Sequence, residues 1–138
     1  MDRQQQFANK LKTAGERFSS PRLAIFVGLG RKGPISIPQF VAEMQKSAID
    51  PATTYRNIKL FRQLNIIRDI GTGGKRMIEL SDDYDSHHHH FWCRECGAVI
   101  DFDNPEIEAL LTRMAQGLEV QIMSHHLELS GRCAKCRD

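Results

Sequence analysis

The 138-residue chain lacks any uninterrupted apolar run near the roughly 20 residues that a helix needs to cross a bilayer, so no membrane span is expected. It also lacks an apolar signal core. Met1-Asp2-Arg3-Gln4 leads into further polar residues, and the expected compartment is the cytoplasm. Internal repeats are absent. Cysteine is scarce: there are four, and each falls in a pair, Cys93/Cys96 or Cys133/Cys136. In a reducing compartment such pairs are expected to hold metal rather than to form disulfides.

The net charge of +2 conceals a division. Residues 1–81 carry 14 Lys/Arg against 6 Asp/Glu, whereas residues 82–138 carry 5 against 11. A basic first part and an acidic second part suggest that only the first meets a polyanion, although solvated surfaces would give the same totals.

Periodicity and capping signals divide the chain further. Arg3 to Ala14 reads as a helix with Phe7 and Leu11 on one face, ending at Gly15. Ser20-Pro21 reads as an N-cap and first helical position, opening a helix through Leu23, Phe26 and Val27 that stops at Gly30. After the Gly33-Pro34 turn, Ser36 and Gln39 have capping-box spacing before Phe40, Val41 and Met44. Asp50-Pro51 opens a fourth helix, with Ile58, Phe61 and Leu64 facing inward. Ile66–Ile70 and Met77–Leu80 flank Gly71-Thr72-Gly73-Gly74 and read as a β-hairpin. Helices followed by a glycine-tipped hairpin predict a winged helix-turn-helix over 1–81.

The acidic, aperiodic segment 82–86 is the expected hinge. Residues 87–138 form the second expected domain, a small α/β unit. Within it, 91–102 is strand-like and interrupted by the first CxxC. Pro105 to Gln116 is helical, with Ile107, Leu110, Leu111 and Met114 as its apolar stripe, and Val120 to Leu129 alternates as a strand would. The expected class is therefore α+β.

Zinc favours a tetrahedron of thiolates, and a CxxC turn brings two sulfurs together beside backbone N–H groups. Cys93, Cys96, Cys133 and Cys136 supply such a set, and Gly97 suits the tight turn after the first pair. A redox pair would instead open a helix in a βαβ setting, which neither motif does. With no open position, the zinc is expected to be structural. His87-His88-His89-His90 precedes the first pair; on a strand, His87 and His89 face one way and His88 and His90 the other. That alternation suits two metal sites, with Glu79, Asp101, Glu108 and His125 as further donors; a solvated His-rich loop is the alternative.

Thr53, Tyr55, Arg56, Asn57 and Lys59 lie on the helix that would enter a DNA major groove. Arginine reads guanine there, and tyrosine can pack on a thymine methyl. Arg17, Arg22, Lys75 and Arg76 lie in flanking elements suited to phosphate or minor-groove contacts, or to ordinary solvation.

Taken together, these motifs resemble the ferric uptake regulator (Fur) family over nearly the whole chain. The stretch Gly15-Glu16-Arg17-Phe18-Ser19-Ser20-Pro21-Arg22 is similar to its G-x-R-x-[TS]-x-x-R opening. Thr53-Thr54-Tyr55-Arg56-Asn57-Ile58 is similar to its recognition-helix pattern T-V-Y-R-N-L. Residues 87–97 and 125–136 resemble its His-Cys block and its closing H-x-L-x-L-x-G-x-C-x-x-C.

The resemblance implies a homodimer that binds an inverted repeat in double-stranded DNA. It implies Zn2+ at the four cysteines, a regulatory ion near the hinge at Glu79, His88 and His90 with Asp101 within reach, and a second site at His87, His89, Glu108 and His125. Two departures stand out. Gly33-Pro34 occupies a turn where many members carry a histidine ligand, and Thr54 stands where an apolar β-branched residue is usual.

Mixed His/carboxylate ligation suits Fe2+, Mn2+ or Zn2+. The expected function is a metal-dependent repressor of metal-homeostasis genes, with iron favoured. Zinc, manganese and peroxide sensing are its variants. The expected protein is not an enzyme; the rival class is a zinc hydrolase, which would need an open metal position and a general base.

Overall fold

The structure, a computed structural model, describes residues 1–71 and 76–138. The described residues form two compact units, Met1–Ser86 and His87–Asp138, and five helices with two small sheets make the class α+β.

The first unit begins with α1 (Arg3–Thr13), whose apolar face buries Phe7 and Leu11. Helix α2 (Ser20–Lys32) differs from expectation at both ends. Ser19, not Ser20, is its N-cap, accepting from the Arg22 N–H at 3.3 Å. The helix also runs through Gly30 to Gly33, whose φ of 65° provides the left-handed exit. Gly28 is retained inside the helix because α3 (Ile37–Lys46) approaches it closely: a Cβ there would lie 2.7 Å from the Met44 methyl. Ser36 caps α3 and Asp50 caps α4 (Pro51–Gln63), each accepting from a backbone N–H three residues on.

Strands β1 (Ile67–Ile70) and β2 (Met77–Leu80) pair antiparallel, with Arg68 opposite Glu79. Ile35, just before α3, adds a two-bond bridge to Ile78 that widens the sheet. The core centres on Phe7, Phe26, Phe40 and Phe61, none with exposed surface. Phe7 stacks on Phe26 with centroids 4.2 Å apart and meets Phe61 edge-on at 5.4 Å, the offset and T-shaped geometries that ring quadrupoles favour. Tyr84 closes this core beside Phe26, and burial pushes its phenol pKa up.

In the second unit the expected 91–102 strand resolves into β3 (His89–Cys93) and β4 (Val99–Phe102), antiparallel about the first CxxC turn. Helix α5 (Pro105–Leu118) is capped by Asn104. The expected strand over 120–129 forms only as β5 (Glu128–Gly131), parallel to β3. Residues 120–126 alternate in sequence, but a strand needs a ladder partner, and among the described residues the pairing with β3 begins only where the Leu127 carbonyl accepts from the His90 N–H at 3.4 Å.

Candidate metal centres and nucleic-acid interface

Strand β3 ends at Cys93, and the hairpin turn carries Cys96 back beside it. The parallel strand β5 then delivers Cys133 and Cys136 to the same place, since Gly131 pairs with Cys93. All four sulfurs lie within 4.8 Å of one another. Cys96 Sγ and Cys133 Sγ are 3.7 Å apart, against about 3.8 Å for the edge of a tetrahedron with 2.3 Å Zn–S bonds.

The Cys133 N–H points at Cys93 Sγ, 3.4 Å away. Backbone N–H groups of Cys96 and Cys133 bring the Cys93 thiol down to about 6, and the N–H of Lys135 is the largest influence lowering Cys133. Cys136, whose proton is held by Cys133 and then Cys93, is pushed up to about 12. Such a cluster readily carries some negative charge but needs a cation to carry the whole of it. The donor set fits zinc.

The histidine tetrad alternates as expected. His87 and His89 meet edge-on with centroids 4.7 Å apart, and His88 and His90 do so at 4.8 Å. The first pair converges on Glu108 of α5: His89 Nε2 lies 2.7 Å and His87 Nε2 3.2 Å from Oε1, while His125 Nε2 lies 2.8 Å from Oε2. Hydrogen bonding from His89, then His125, holds the Glu108 carboxyl down to about 2. Three imidazoles and a carboxylate with donor atoms within 4.8 Å fit a divalent ion of intermediate hardness.

On the other face, Asp101 stands opposite His90 across the β3–β4 ladder and meets its Nδ1 at 2.8 Å. This contact fixes the His90 ring through its Nδ1, the usual support for a ligating histidine. Glu79 belongs to the first unit, buried on β2 against Arg68.

The expected DNA-reading residues separate into two groups. Tyr55, Arg56 and Lys59 are exposed on α4, with Arg56 Nη2 steadied by Thr53 Oγ1 at 3.3 Å. Arg17 and Arg76 are also exposed. Asn57 is buried; its Oδ1 accepts from Arg22 Nε at 2.7 Å and its amide donates to the Thr53 carbonyl at 2.9 Å. Arg22 also bonds the Arg17 carbonyl. Arg22 and Asn57 therefore bracket α4 against the start of α2, a role their positions in the sequence did not reveal. Lys75 and the centre of the hairpin tip lie outside the described residues.

The ferric uptake regulator family model matches residues 13–130. The chain belongs to this family. As a family member it is 34% identical over 137 residues to the ferric uptake regulation protein of Yersinia pestis, a match covering 93% of this chain and 90% of that one. It is 36% identical over 131 residues to the Vibrio anguillarum protein of the same name, covering 90% and 85%. The crystal structure of the Vibrio cholerae ferric uptake regulator is similar with a TM-score of 0.72 at 34% identity, covering 89% of this chain and 96% of that one. Family members are regulators, and no described helix of this chain is long and apolar enough to cross a membrane.

Proposed function

We propose that this chain is an iron-responsive, DNA-binding transcriptional repressor that works as a cytoplasmic homodimer on an inverted-repeat operator. The observation that carries the reading is the pairing, in one family member, of an exposed Tyr55-Arg56-Lys59 helix in a basic unit with His/carboxylate donors in an acidic one. Residues 1–81 bind DNA, 82–86 act as hinge and 87–138 dimerise. Zn2+ at Cys93, Cys96, Cys133 and Cys136 is structural. Glu79, His88 and His90 hold the regulatory ion, with Asp101 orienting His90. His87, His89, Glu108 and His125 hold a second ion.

When bound, the regulatory ion supplies positive charge that draws these donors into one arrangement. It acts as an effector because that arrangement, and not others, spaces two α4 helices for two operator half-sites. Arg56 and Tyr55 then read bases, while Lys59, Arg17 and Arg76 contact phosphates. Support for the dimer comes from α5 and the sheet, which leave Leu110, Met114, Leu118, Ile100 and Leu129 between 45% and 66% exposed, an apolar surface suited to a second copy.

The test is a mobility shift on operator-like duplex with zinc-loaded protein, titrating Fe2+ anaerobically, or Mn2+ as its air-stable surrogate. Binding should rise with metal and fall steeply with salt. Metal-independent binding would remove the sensing half of the reading. One observation favours a zinc-responsive variant: the tetrad His87–His90 is all histidine, and imidazole donors suit Zn2+ as well as Fe2+. The same titration with Zn2+ at buffered free concentrations separates the two.

A further inference from the structure

The hairpin of the first unit places Arg68 directly opposite Glu79. Arg68 Nε donates to Glu79 Oε1 at 2.7 Å, Nη2 reaches the same oxygen at 2.6 Å, and Nη1 reaches Asp82 Oδ1 at 3.1 Å. The Arg68 and Glu79 side chains are 11% and 4% exposed, so this is a buried ion pair; Asp82, at 35%, lies nearer water. A buried carboxylate is stable only with a counter-charge, and here the guanidinium supplies it.

We propose that Arg68 sets the affinity of the regulatory metal by acting as the resident counter-ion of Glu79, and that Asp82 sets how tightly Arg68 holds that position. This rests on the reading of Glu79 as a metal ligand. A divalent cation arriving at Glu79 meets a carboxylate already neutralised, and its charge is repelled by the adjacent guanidinium. The cost of binding is lower when Arg68 can lean on Asp82, the first residue of the acidic segment 82–86. Arg68 is thus a positioning residue that touches no metal and yet biases the sensor, linking the charge state of Glu79 to the segment proposed as the hinge.

Removing Arg68 and removing Asp82 give opposite predictions. Arg68→Gln removes the competing charge and the ion pair that the metal would have to weaken, and both changes favour the metal. Asp82→Asn removes a negative charge and leaves Arg68 more fully committed to Glu79, and both changes oppose it.

The experiment titrates Mn2+ into full-length, zinc-loaded protein, following free Mn2+ by electron paramagnetic resonance. Glu79→Gln marks which binding phase involves Glu79. In that phase, Arg68→Gln should tighten Mn2+ binding roughly tenfold and Asp82→Asn should weaken it severalfold, magnitudes typical of coupling between neighbouring charges. Metal-free Arg68→Gln should also melt lower than the parent and gain more from Mn2+. Unchanged or weaker binding in Arg68→Gln overturns the proposal. Should that variant fail to fold, unchanged binding in Asp82→Asn overturns it. If Glu79→Gln changes no phase, the ligand assignment itself is wrong; if it abolishes one while Arg68→Gln and Asp82→Asn match the parent, only the role of Arg68 fails.

Discussion

In Met1–Ser86 four phenylalanines have no exposed surface, and sixteen residues join one buried apolar cluster. In His87–Asp138, helix α5 has no buried residue, and the buried side chains are Trp92, Cys93, Cys133, His89 and His90. The first unit removes enough hydrocarbon from water to pay for chain ordering in the ordinary way. The second buries sulfur and imidazole, groups whose value lies in binding a cation, and leaves its helix apolar on the outside. The difference teaches that one chain uses two sources of stability. The first unit rests on its own core, while the second, in our reading, rests on ions and on a second copy.

The largest expected effect separates the units outright. Stripping zinc under reducing conditions should raise amide hydrogen exchange throughout 87–138 and leave the α1, α2 and α4 core amides protected, because structural zinc sites contribute on the order of 10 kcal/mol of folding free energy. Equal loss of protection in both units would erase the comparison. Next in size, Phe61→Ala should cost about 3–5 kcal/mol by urea denaturation, the range for a fully buried ring. It should leave the stoichiometry of zinc at the cysteines unchanged. A loss of zinc in that variant would show that the two units do not stand apart.

Much of this was readable from sequence where the signal is local. The caps Ser36 and Asp50, the alternation of His87–His90 and the paired cysteines each depend on neighbours within a few residues, and the structure keeps them. Non-local features were not readable. Arg68 faces Glu79 only because of the hairpin register, and the tip between them, Gly71-Thr72-Gly73-Gly74, does not specify that register by composition. Arg22 meets Asn57 across 35 positions. The strand expected from Val120 shortened to β5 because alternation predicts an exposed face and a covered face but supplies no pairing edge. The Ser19 cap of α2 was displaced by one residue because two serines precede Pro21, and either could have capped the helix.

A smaller effect tests the completeness of the first core. Thr54 is fully buried with its hydroxyl unsatisfied among the described residues, so Thr54→Val should stabilise the protein by about 1 kcal/mol. A destabilised variant in thermal melts would mean that the hydroxyl has a partner after all. The smallest effect concerns the cap of α4. The Asp50 carboxyl is held below its ordinary range first by the Thr53 hydroxyl and then by the Thr53 N–H. Its folded pKa is depressed, so its contribution is present above the unfolded value near 4 and fades as pH falls through that value and below it. Asp50→Asn, which keeps a capping oxygen, should show a flatter loss of stability between about pH 5 and 2 than the parent. Identical pH profiles would assign the acid sensitivity elsewhere.

The claim that two kinds of ion organise the second unit is most directly tested by anomalous scattering at the zinc and iron edges, from one crystal of reduced, freshly prepared protein loaded anaerobically with Fe2+. The account predicts zinc surrounded by Cys93, Cys96, Cys133 and Cys136, and iron only among histidine and carboxylate donors. Cysteines without zinc, or iron bound by them, would contradict it.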